Sequence, residues 1–109
     1  MAADRCKLVW FVPPDSLDET RDAVFAAGAG RIGLYERCSF ISLGTGTFMG
    51  GAGTVPAIGE PGREERVEEL RVEVVVPTGV LHDVVSALVA AHPYEEVAYD
   101  LYELVEPPR

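Results

Sequence analysis

The sequence predicts an α+β, ferredoxin-like sandwich of order βαββαβ, with a four-stranded antiparallel sheet and two helices on one face. Three observations predict it. Short apolar runs alternate with segments of helical period along the chain. The chain has 109 residues and is 48% hydrophobic, enough for one small core and too apolar for a disordered segment. Finally, a shift of 64 residues aligns the two halves without a gap: Val12-Pro13 falls on Val76-Pro77, Leu17 on Leu81, Ala23 on Ala87, Ala26-Ala27 on Ala90-Ala91 and Tyr35 on Tyr99. Two βαβ units in one register build this sandwich when they lie side by side. The expected organisation is one domain over residues 1–109, with its core in 7–104 and a glycine-rich loop over 44–62.

The elements follow in order. Lys7 to Val12 is an apolar run closed by Pro13-Pro14, and reads as a strand buried on both faces. Ser16-Leu-Asp-Glu19 has the capping-box pattern and acidic residues where the helix dipole favours them, so a helix is expected from Leu17 to Ala27, stopped by Gly28. A second strand is expected over Tyr35 to Leu43. From Gly44 the density of glycine and proline predicts a long irregular loop, the kind that is functional or mobile in compact domains. The charge run Arg63 to Glu69 reads as a solvated turn or strand entry. Val67 to Val76 gives a third strand, Val80 to Ala91 a second helix with a broad apolar face, and Val97 to Leu104 a fourth strand.

Composition excludes several functions. Eighteen acidic and nine basic residues give a net charge of −9, which repels a phosphate backbone, so nucleic-acid binding is not expected. No apolar run approaches a bilayer span, and no signal peptide is read at the start. Two cysteines, Cys6 and Cys38, make neither a disulfide framework nor a four-cysteine zinc site, which points to a reducing, cytoplasmic compartment.

Gly28-Ala-Gly-Arg-Ile-Gly33 matches the dinucleotide pattern G-x-G-x-x-G, but a helix precedes it and a strand follows. The pyrophosphate needs a helix N-terminus after the glycines, so these are read as helix-stop and turn glycines. No P-loop is present. The segment Ala91-His-Pro-Tyr-Glu-Glu-Val-Ala-Tyr-Asp100 concentrates one of two histidines, two tyrosines and three carboxylates just after the second helix. At a helix C-terminus the dipole favours protonated His92, which would pair with Glu95 or Glu96. Alternatively His92, Glu95 and Glu96 ligate a divalent metal, for which imidazole and carboxylate are competent. Cys38 needs a neighbouring base to act as a nucleophile, and His92 is the better candidate beside His82, which reads as a surface residue. The repeat places Gly28 opposite His92, so the second half carries a polar cluster where the first carries glycines.

Taken together, Gly28-Ala-Gly-x-Ile-Gly33, Tyr35-x-x-Cys-Ser-Phe40, Gly44-Thr-Gly-Thr-Phe48, Pro56-x-Ile-Gly59, Val67-Glu-Glu, Arg71-x-Glu73 and His92-Pro-Tyr-Glu-Glu-x-Ala-Tyr-Asp100 run in order through nearly the whole chain. They resemble the small domain inserted in many bacterial Nif-three-like proteins, the family often labelled GTP cyclohydrolase type 2 homologs. That resemblance implies a PII-like/CutA-like domain that forms homotrimers with ligand or metal sites in clefts between subunits. It also implies that the family's dinuclear metal site is built by flanking domains, so a chain with two histidines standing alone is expected not to be an enzyme.

The expected function is therefore a trimeric, non-enzymatic module that binds a small ligand or divalent metal. Tyr35, Cys38, Ser39, Phe40, Tyr94 and Tyr99 are the candidate ligand contacts, and His92, Glu95 and Glu96 the candidate metal ligands. A purely structural oligomerisation or docking module is the first alternative, and a metal-assisted hydrolase with Glu95 or Glu96 as base the second.

Overall fold

A computed structural model describes residues 3–108. The chain runs β1 (Arg5–Val12), α1 (Leu17–Ala26), β2 (Phe40–Met49), β3 (Glu64–Pro77), α2 (Leu81–Ala91) and β4 (Tyr99–Glu103). A 3-10 turn precedes each helix, at Pro14–Ser16 and Thr78–Val80. The sheet order is β2-β3-β1-β4, and every neighbouring pair is antiparallel. This is the expected ferredoxin-like sandwich.

The pleat explains the core. Alternate residues of a strand face opposite ways, and Leu8, Trp10 and Val12 of β1 join Val72, Val74 and Val76 of β3 on the face that carries the helices. Val24 and Phe25 of α1 and Val84 and Leu88 of α2 close over them. Val9, on the other face, is also fully buried, so the centre of β1 is apolar on both sides as its sequence predicts. The repeat is real through the helices: both 3-10 turns and both helix starts are 64 residues apart. Thr20 occupies the place of Val84. It is buried because its hydroxyl accepts from Trp10 Nε1 at 3.1 Å and donates back to the Leu17 carbonyl at 2.9 Å. Among the described residues no helix is long and apolar enough to cross a membrane.

Three expectations are corrected. Ser16 makes no side-chain cap; it ends the 3-10 turn, and Asp18 and Glu19 alone supply the acidic first turn. The second strand lies at Phe40–Met49 rather than Tyr35 to Leu43, so the repeat fails after α1. Gly30 donates to the Val75 carbonyl and its own carbonyl accepts from the Cys38 N–H, both at 2.8 Å, which pins residues 31–37 as a turn-rich excursion with Arg37 at φ 57°. Gly44 and Gly46, read as loop breakers, are strand residues paired with Glu69 and Val67. The long partner β3 supplies a continuous ladder, and cross-strand pairing overrides the weak strand preference of glycine. The irregular loop shrinks to the tip of a long β2–β3 hairpin, and the charge run 63–69 becomes the entry of β3.

Candidate functional site

The exit of α2 organises the site. His92 caps the helix by donating its N–H to the Leu88 carbonyl at 3.0 Å, then turns extended ahead of Pro93, as a residue before proline must. Its ring is buried at 7% exposure. Nε2 lies 2.7 Å from the Phe11 carbonyl, and Nδ1 accepts the Tyr94 N–H at 3.1 Å. A carbonyl can only accept and an amide N–H can only donate, so the neutral imidazole protonated at Nε2 satisfies both. Burial pushes the His92 pKa below its ordinary value, against the opposing pull of the Phe11 carbonyl and of Glu69. His92 is thus a neutral strut between α2 and β1. It is not the protonated partner of Glu95 or Glu96 that the helix dipole suggested, and neither ring nitrogen is free for a metal.

The strut positions Tyr94, whose ring meets His92 edge-on with centroids 4.8 Å apart. The Tyr94 hydroxyl donates to Glu69 Oε2 at 2.9 Å. Burial first, and then the Glu69 hydrogen bond and charge, push the phenol well above its ordinary range, so it stays a donor. The Glu69 carboxylate reaches this position by lying across Gly46, where any Cβ would collide with it. The ring of Phe48 stands 6.2 Å from that of Tyr94, tilted by 50°. The hairpin tip is tied to the same segment, because the Val55 N–H donates to Glu95 Oε2 at 3.0 Å.

These contacts enclose a cleft of about 320 Å³. Phe48, Met49, Pro56 and Ile58 form its apolar walls, and Glu69, Tyr94, Glu95 and Glu96 its polar ones. Tyr94, Glu95 and Glu96 were legible as candidates; Phe48, Glu69 and Gly46 were not given a role. The usable signal for them was the pairing of a Gly-Thr-Gly-Thr-Phe strand with the Val-Glu-Glu strand, which becomes visible only once the register is known.

The other candidates lie elsewhere. Tyr35 and Phe40 are exposed. The Cys38 thiol faces the Glu36 carbonyl at 3.8 Å, and the Ser39 hydroxyl accepts from Arg21 Nε at 3.4 Å. Arg21 and Arg37 stack on the Phe25 ring, at 5.3 and 4.8 Å from its centre. This corner has its own hollow, bounded by Asp22, Phe25, Arg31 and Arg37. Tyr99 opens β4 opposite Trp10. His82 is exposed on α2, as expected. Within one chain the Tyr35–Phe40 and His92–Asp100 segments therefore do not line one cleft. Among the described residues no three His, Cys, Asp or Glu side chains are grouped to hold a metal ion.

The sheet order and paired helices define the class, a ferredoxin-like fold. The chain superposes on CutA1 from Shewanella sp. SIB1 with a TM-score of 0.71 at 11% identity, covering 98% of this chain and 87% of that one. Bacillus subtilis GlnK, in a structure with ATP, gives 0.63 at 14% identity over 95% and 84%. More particularly, the chain is similar over nearly its whole length to one segment of NIF3-related proteins. A Bacillus cereus protein related to NIF3 gives a TM-score of 0.80 at 46% identity, covering 97% of this chain and 27% of that one. The GTP cyclohydrolase 1 type 2 homolog of Mycobacterium tuberculosis is 51% identical over 107 residues, which are 98% of this chain and 28% of that protein. Its counterpart in Halalkalibacterium halodurans is 53% identical over 98 residues, 90% of this chain and 26% of that protein. The chain thus spans about a quarter of the length of the curated relatives it matches. No family model matches it.

Proposed function

We propose that the chain is a non-enzymatic binding and regulatory module that self-associates as a trimer and takes a small molecule in the cleft between the β2–β3 hairpin and residues 92–98. The observation that carries this reading is the cleft itself: apolar walls, an aromatic corner and a few convergent polar groups make up the ordinary composition of a small-ligand site. The hydrogen bond that ties the hairpin tip to Glu95 supports a hairpin that responds to occupancy of the cleft.

Self-association is supported by the sheet edges. Among the described residues, exposed large apolar side chains collect on the two edge strands, with Phe40, Leu43 and Met49 on β2 and Tyr99, Leu101 and Tyr102 on β4. Unpaired strand edges bearing apolar side chains invite pairing with another chain. The β2 edge of one copy against the β4 edge of the next would be a head-to-tail contact, the kind from which closed rings are built. These edges also support a second reading, a module that only assembles. Native mass spectrometry of protein purified without chelator or affinity metal tests both. Three chains with a retained small molecule is the expected result; a trimer that never holds one supports the assembly reading, and a clean monomer overturns both.

A further inference from the structure

Resting on the reading of the cleft as a small-ligand site, we infer that its ligand is a compact organic cation: an ammonium or guanidinium group on an apolar body. Three carboxylates, Glu69, Glu95 and Glu96, line the cleft, and no Lys, Arg or His does. The arginines that form ion pairs do so away from the cleft: Arg5, Arg21, Arg37, Arg63 and Arg71 pair with Glu106, Asp18, Asp22, Glu65 and Glu73. Among the described residues the three cleft carboxylates enter no ion pair. Glu69 accepts one hydrogen bond, from Tyr94, and Glu95 one, from the Val55 N–H, so each keeps acceptor capacity. Apolar walls focus that uncompensated negative potential, in a chain whose net charge is already −9.

The remaining walls select among cations. The Phe48 and Tyr94 rings pack on each other in a tilted pair and give the cleft aromatic surface, against which a cation and its apolar substituent can pack. A bare divalent metal gains nothing from Phe48, Met49, Pro56 or Ile58, and the carboxylates are not grouped to coordinate one. A phosphate-bearing ligand meets three like charges and no basic side chain of this chain. Specificity here comes from repulsion of anions as much as from attraction of cations.

Three probes with the same phenylethyl body and different charge test the inference: 2-phenylethylammonium, 2-phenylethanol and 3-phenylpropionate, titrated into the full chain and followed by amide chemical shifts. The cation is expected to perturb Phe48 and residues 94–98, to bind about tenfold or more tighter than the alcohol, and to weaken with added salt. Glu69→Gln and Glu96→Gln should each weaken it by about fivefold, and Glu19→Gln, on the exposed first turn of α1, should leave it unchanged. Equal or tighter binding of the alcohol or the propionate in the cleft overturns the cation assignment and leaves the cleft a ligand site. Failure of all three probes to perturb the cleft overturns both.

Discussion

The Tyr94 hydroxyl and the Glu69 carboxylate meet at 2.9 Å between the segment after α2 and the middle of the β2–β3 hairpin, in space that exists only because residue 46 is glycine. One strand thus shapes a site by omitting a side chain, and the strand beside it fills the gap with a charge. Gly46→Ala should push the Glu69 carboxylate aside and break the bond to Tyr94. Losing a hydrogen bond to a charged group costs about 1.5–3 kcal/mol, and the alanine returns roughly 0.5–1 kcal/mol of strand preference. A net loss of about 1 kcal/mol is expected in urea unfolding. Tyr94→Phe should cost a similar amount, and the double variant markedly less than the sum, because both changes remove the same contact. Full additivity would show that the two residues are not coupled.

His92 makes stability depend on pH in a defined direction. Its folded pKa lies below the ordinary 6.5, so below that pH the unfolded chain takes up a proton that the folded chain refuses. The stabilisation is fully present above about pH 6.5 and is lost as pH falls below it. Urea midpoints should decline between pH 7.5 and 5.0, and His92→Gln should flatten the part of the decline that comes from this residue. Imidazole nitrogen shifts at pH 7.5 should report the neutral Nε2–H form. A protonated ring at that pH would contradict the assignment.

The buried Thr20 is the first half's departure from the apolar Val84 of the second, and it exists to serve Trp10. Thr20→Val keeps the shape and makes the halves more alike, yet it strands the indole N–H in the core. An unsatisfied buried donor costs about 1–3 kcal/mol, so the melting temperature should fall by roughly 4–8 °C per kcal/mol in a domain of this size. An unchanged melting temperature would show that the hydrogen bond contributes nothing.

How much of this was legible in the sequence depends on range. The first strand and both helices read correctly apart from the Ser16 cap, because local pattern and repeat agree there: the turns at Pro14 and Thr78 and the helices behind them keep one register. The second strand was misplaced because Tyr35 to Ser39 carries strand-like residues held in turns by Gly30, whereas Gly44 and Gly46 read as breakers and are held straight by β3. His92, Glu95 and Glu96 were read as neighbours in sequence. The partners in space of His92 and Glu95, namely Phe11, Leu88 and Val55, lie on three other parts of the chain. Only Leu88, four residues back, was within reach of local reasoning. Glu69 sat inside a charge run that looked solvated, and nothing short of the β2–β3 register shows that it faces glycine.

The proposed ring makes a prediction that separates two ways of using the same edges. Leu43 stands on β2 at 66% exposure and Leu101 on β4 at 41%, at opposite ends of the sheet order. A lysine at either position places a charge in an apolar edge contact while leaving the core untouched, so the fold and the buried Trp10 signal should persist. In a head-to-tail ring every junction uses one β2 edge and one β4 edge. Leu43→Lys and Leu101→Lys should then each yield monomers, because each spoils one side of every junction. Mixed together, the two variants should recover a single species of two chains: Leu43→Lys keeps a sound β4 edge and Leu101→Lys a sound β2 edge, so one junction forms and no ring closes. If like edges paired instead, β4 to β4, Leu43→Lys alone would remain a dimer and mixing would add nothing. Light scattering on the two variants and on their mixture therefore reads out the arrangement of the junction as well as its existence.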